Sequence, residues 1–275
     1  MTADTDDEAD VATASPGGSG IGMEAFLGLL WLGTSAYVAH ASLQAPGAEV
    51  GPALQALPGL VPAMLLTSAG IASIAAGRLK SALGRLALGL GVGAIFGVVG
   101  GVAVRYGYGD TPSITDLAVA MALAGLIGGS AAALPEPVRE AFQWATTFVF
   151  FAAVIAGTLR ITGVLGGGLN APEDAQAAAS EKFGYIGAVV GGLLAGLYSP
   201  PKLRDQRSWA WYPIAGALPG VLLLIADRLT AAGDDARAGQ FQFHDANGLR
   251  HALIVLVIGA VGAAILGIRR RRSGD

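Results

Sequence analysis

Few side chains in this 275-residue chain combine a reactive type with a position where reactivity would count. An ionisable group held within a bilayer is costly, and it marks an ion path, a proton relay or a structural pair. Asp116, Arg160 and Asp227 are the candidates, each near one end of an apolar stretch. An arginine about one turn inside the boundary can reach the headgroups, or it can pair with a carboxylate that a neighbouring helix brings to its level. The expected intramembrane polar pair is Arg160 with Asp116 or Asp227. Glu24 falls at the start of the first apolar run, at headgroup level. None of these lies at the middle of a stretch, where ion-coupled transport usually places its acid.

Other chemistry is excluded more directly. There is no GxxxxGK[ST] phosphate loop, no HExxH pair and no GxSxG elbow in the chain. His244 and His251 bracket Asp245, but a His-Asp step with a distant second His is a weak metal signature. Gly166-Gly167-Gly168 lacks the strand and helix that would make it a nucleotide loop, and reads as a helix exit. With no cysteine, thiolate ligands, disulfides and cysteine nucleophiles are ruled out. The expectation is a non-enzyme with no catalytic, cofactor-binding or metal-binding residue and no nucleic-acid partner.

The elements that carry these residues are apolar runs of membrane-spanning length. Leu83 to Tyr106, for example, holds one arginine near each end and no ionisable group between Arg85 and Arg105. About 18 such residues cross a hydrocarbon core of ~30 Å as a helix. Charged residues make up only 13% of the chain, well below the roughly 25% of a soluble domain. The fold class is therefore all-α, a polytopic transmembrane helix bundle of about eight spans. The spans are expected at about residues 23–42, 54–77, 83–106, 114–134, 139–165, 183–198, 209–229 and 249–268. Pro58 and Pro62 push the start of the second span later or kink it. Residues 1–20 read as a disordered acidic tail, residues 21–268 as the transmembrane helical domain, and residues 269–275 as a basic cytoplasmic tail.

Basic residues set the orientation, because Lys and Arg accumulate on the cytoplasmic side. With an even number of spans, eleven of the 17 Lys and Arg fall on the side of the termini, Arg269 to Arg272 among them. Both termini are expected in the cytoplasm. Trp209, Trp211 and Tyr212 then fall at the inner interface.

Lipid gives helices no hydrophobic reason to associate, so small residues that admit close backbones mark the contacts. Gly89, Gly93, Gly97 and Gly101 form such a stripe on the third span. Gly184, Ala188, Gly192 and Gly196 form one on the sixth. Ala120, Ala124, Gly128 and Ala132 on the fourth span, and Gly259, Ala263 and Gly267 on the eighth, complete the set. Two likenesses hint at internal symmetry, between the third and sixth spans and between the second and seventh. Each pair runs in opposite senses, as in inverted-repeat transporters.

The composition resembles that of Ala/Gly-rich integral membrane proteins of high-GC bacteria, and the bacterial cytoplasmic membrane is the expected location. The expected role is a structural or interaction component, or the membrane subunit of a larger complex, in contact with the lipid bilayer and with further copies or other membrane proteins. The alternative is a permease for a small solute, driven by a separate ATPase.

Overall fold

A computed structural model describes residues 60–108, 112–161, 173–203, 209–235 and 246–272, together with Phe26, Leu29, Leu30 and Gly33. Among them are seven long α-helices and no strand. They are α1 (Leu60–Ala75), α2 (Ala82–Tyr108), α3 (Pro112–Ser130), α4 (Glu136–Ile161), α5 (Glu173–Lys202), α6 (Trp211–Asp235) and α7 (Ala246–Arg272). They correspond to the second to eighth expected spans. Among the described residues, five stretches are long and apolar enough to cross a membrane: Ala82–Gly107, Ile114–Ala133, Glu181–Pro200, Trp211–Ala231 and Gly248–Arg270. The N-terminal tail, Glu24, most of the first expected span, His244 and Asp245 lie outside the described residues.

The helix boundaries depart from the expected ones for local reasons. α1 is described from Leu60 and takes in Pro62 near its described start, where a missing N–H costs little. Its 16 described residues measure ~24 Å at 1.5 Å per residue, and Ala76–Arg78 continues it as a 3-10 turn. Ala131–Ala133 adds a 3-10 turn to α3. α4 starts at Glu136, inside the Pro-Glu-Pro turn, and the Arg139 N–H donates to the Pro135 carbonyl at 2.8 Å. α5 begins at Glu173, well before Phe183, and runs for 30 residues. Its first turns are rich in alanine, the best helix former. α7 continues through Arg272, so part of the expected basic tail is helix, with cations at the end of the dipole that favours them.

α1 is the centre of the bundle. Twelve of its 16 residues are buried, because α2, α3, α4 and α6 all pack on it. Met64, Leu65, Met121, Phe142, Leu222 and Val255, from five different helices, meet in one core cluster. Around this centre the contacts are uneven. α3 packs extensively on α1 and α2, and α7 packs extensively on α5 and α6. α4 lies mainly on α5, and α6 reaches across to α1, α3 and α4.

Candidate functional site

The glycine stripe of α2 lies directly on the backbone of α3. A Cβ placed on Gly93 would overlap the Gly125 carbonyl oxygen, and one on Gly89 would overlap that of Gly129. At Gly97 it would stand 2.7 Å from the Ala122 oxygen, and at Gly101 2.8 Å from the Ala118 oxygen. Ordinary contact between carbon atoms is ~3.5–4.0 Å, so these four positions exclude any side chain. The facing row on α3 is Ala118, Ala122, Gly125 and Gly129. Of the row singled out in the sequence, Gly128 turns to a different face and meets the Leu65 carbonyl and the Ser68 hydroxyl of α1, while Ala132, in the 3-10 turn beyond α3, also meets Gly89.

α5 and α7 meet in the same way. A Cβ on Gly192 would lie 2.9 Å from Ile258 Cβ, and one on Gly196 3.1 Å from Gly262 Cα. The Gly184 position is occupied by the His251 ring. Gly259 faces the Gly216 carbonyl of α6 instead, and Gly267 is covered by the Tyr212 ring. Each of α3 and α7 therefore carries two small-residue faces and lies between two partners.

Polar groups gather at the end of the bundle where α7 begins. Arg250 donates to the Tyr185 hydroxyl, with Glu181 one turn earlier on α5 adding its attraction. The Tyr185 ring stands edge-on to the His251 imidazole, with centroids 4.8 Å apart and planes at 88°, a geometry worth about 0.5–1.5 kcal/mol between aromatic rings. His251 thus belongs to the α5–α7 contact, within a helix. Asp227 of α6 also reaches this end: a Cβ on Gly248 would be 2.7 Å from its Oδ1. Its carboxylate therefore sits against the first turn of α7, where the dipole favours negative charge. Asp116 lies one turn into α3, half-buried like Asp227, and one oxygen of each carboxylate is shielded from solvent. Arg160 is the penultimate residue of α4, and its side chain lies outside the described residues. The structure brings Asp227 to α7; the pairing of Arg160 with either carboxylate is not among its described contacts.

The opposite end is held by Arg139, Arg85 and Tyr212, whose contacts the sequence did not show. Arg139 is 4% exposed and its guanidinium lies beside Gly77. Its spacing to Phe142 and Thr146 places it on the inner face of α4, a signal that its position beside the proline turn concealed. Arg85 Nη1 donates to the Leu79 and Lys80 carbonyls at 3.3 and 3.2 Å, closing the connection between α1 and α2. Tyr212, buried at the start of α6, donates its hydroxyl to the Leu203 carbonyl at 3.2 Å. Most helical hydroxyls bond back to a carbonyl of their own helix, as Ser199 does to Ala195 at 2.8 Å and Thr230 to Ala226 at 2.9 Å. Thr67, Ser73 and Thr146 are fully buried and make no hydrogen bond.

Among the described residues no three His, Asp or Glu side chains converge as a metal cage would require. No protein-family model, no curated protein and no solved structure matches the chain.

Proposed function

We propose that the protein is a non-enzymatic component of a bacterial cytoplasmic membrane, a scaffold or membrane subunit that works beside other membrane proteins. In this reading about eight spans cross the bilayer and both termini face the cytoplasm. The observation that supports it most is the interior itself. Backbone-on-backbone contact along α2–α3, α5–α7 and α6–α7 leaves no room for a solute between those helices, and such contacts build tightly packed bundles. The test is affinity capture of a tagged chain from its native membrane in mild detergent. Stoichiometric recovery of other membrane proteins is the expected result, and a chain recovered alone would count against the scaffold.

A permease reading draws on a different observation. Thr67, Ser73 and Thr146 are buried hydroxyls without a partner in an otherwise apolar core, and each such group has a desolvation cost of about 1–3 kcal/mol. A path that hydrates during transport would satisfy them. Proteoliposomes that swell in iso-osmotic glycerol or urea, and cease to do so with Thr146→Val, would favour this reading over the scaffold.

A further inference from the structure

The glycine contacts obey a register that runs through the chain twice. On α2, Gly93 meets Gly125 and Gly129, and Gly97 meets Ala122; on α6, Gly216 meets Gly259 and Ala263, and Gly220 meets Leu256. The α2 and α6 members of these pairs are 123 positions apart, and the α3 and α7 members are 134 apart, in every case. The connections correspond too. Arg78-Leu79-Lys80 stands at the end of α1 and Lys202-Leu203-Arg204 at the end of α5. In each the leucine N–H closes a short turn, Leu79 on the Ala76 carbonyl at 2.9 Å and Leu203 on the Pro200 carbonyl at 3.2 Å. Thus α1, α2 and α3 are arranged as α5, α6 and α7 are, in the same sense across the bundle. This replaces the inverted pairing that composition suggested. In transporters built from repeats, the polar site lies where the two units meet.

Part of that meeting is α1 against α4, which packs mainly on α5. A Cβ on Gly77 would stand 3.8 Å from Arg139 Nη2, so the last turn of α1 lies beside the first turn of α4. The two helices, three spans apart in an alternating bundle, run antiparallel. Seven residues make two helical turns and ~10 Å of rise. Seven back from Gly77 is Gly70, and seven on from Arg139 is Thr146, which puts these two at one level on the facing sides. Thr67 and Ser73, three residues before and after Gly70, flank it on α1. Among the described residues, Thr67, Ser73 and Thr146 are the buried hydroxyls without a hydrogen bond, and all three surround one buried glycine. Their neighbours bond back to their own helix, Ser68 to the Leu65 carbonyl at 3.0 Å and Thr147 to that of Gln143 at 2.9 Å. Thr67, Ser73 and Thr146 forgo that bond, which leaves their hydroxyls for a partner in the seam.

We propose that Thr67, Ser73 and Thr146 form a polar site between the two units, which takes water or a small uncharged solute bearing hydroxyl or amide groups and is reached from the end where Arg139 stands. A hydroxyl both donates and accepts, which matches molecules that do both. A guanidinium at the mouth counts against cations. The site deepens the permease reading, on which it rests, by giving it a location and a substrate class.

The chain has no cysteine, so single cysteines report access without background. A thiol buried in an apolar core stays protonated and unreactive. Iodoacetamide is a small neutral amide of the proposed class. In native membranes it should alkylate Ser73→Cys and Thr146→Cys roughly tenfold or more faster than Ala72→Cys and Ala145→Cys, although these neighbouring positions are just as buried. Thr146→Val should leave the melting temperature unchanged or lower it. Equal alkylation at all four positions would overturn the proposal. So would a higher melting temperature for Thr146→Val, the result for a hydroxyl stranded in a dry core. Faster alkylation without swelling of proteoliposomes in glycerol or urea would remove the permease reading and leave the site standing. Swelling without faster alkylation would put the path elsewhere and remove the site alone.

Discussion

Adding one methyl group at Gly97 tests whether α2 and α3 touch through their backbones. The new carbon would stand 2.7 Å from the Ala122 oxygen and 2.9 Å from its Cα. Restoring a carbon–carbon separation of ~3.5–4.0 Å moves the helices apart by about 0.6–1.1 Å. A gap of that size forfeits roughly a quarter to a half of the dispersion energy of each contact it opens. Overpacking of this kind costs about 1–3 kcal/mol, while alanine gains up to ~1 kcal/mol over glycine in a helix. A single comparison would mix the two effects, so the control is another glycine of the same helix. Gly91 and Gly107 have nothing within 4 Å of a Cβ, so Gly91→Ala and Gly107→Ala carry the propensity gain alone. The difference between Gly97→Ala and these controls then isolates the overpacking, ~1–3 kcal/mol. At 2–4 °C per kcal/mol for a protein near this size, Gly97→Ala should melt about 2–12 °C below Gly91→Ala in detergent. Gly93→Ala, whose methyl falls on the Gly125 carbonyl, should melt at least as low. Equal melting temperatures for Gly97→Ala and Gly91→Ala would refute backbone contact.

Three further outcomes are expected. Reporter fusions after Lys80 and Arg139 should report cytoplasm and fusions after Asp110 and Asp235 the outer side; one inverted pair would mean a miscounted span. Arg160→Leu should destabilise the protein, and adding Asp116→Asn or Asp227→Asn should restore part of the loss. Strict additivity in both double-mutant cycles would show that Arg160 pairs with neither. Tyr212→Phe keeps the ring over Gly267 and removes only the bond to the Leu203 carbonyl, so it should cost ~1 kcal/mol, seen as ~2–4 °C in melting temperature; no change would mean that water replaces the bond without loss.

How much of this was legible in the sequence depended on the residue. α2 and α3 were readable because their apolar runs are uninterrupted, and in lipid only a helix or a closed barrel satisfies the backbone. The start of α5 was concealed, because Glu173, Asp174, Glu181 and Lys182 interrupt hydropathy while its alanines favour helix regardless. The α2 stripe was visible, but its partner was not. α3 carries small residues on two faces, and periodicity marks a face without saying which neighbour it meets. The repeat escaped for a related reason: Gly125 and Gly259 share a place while most residues around them differ. Arg139 and His251 fell at the ends of expected spans, and only the path of the neighbouring helices shows one buried and the other packed in a helix contact. The pairing of Arg160 remained a matter of level, since one-dimensional spacing gives depth along a helix and no direction around it.

The position of α1 has a consequence for how the protein is made. It emerges early, yet one of its walls, α6, begins at Trp211, ~140 residues later. At 5–20 residues per second, the ribosome needs roughly 7–30 s to deliver that wall. During this time α1 has its α6-facing side against lipid or the insertion machinery. The centre is thus made before its walls, and a chain stopped before α6 would leave α1 exposed, a form that a quality-control protease could recognise.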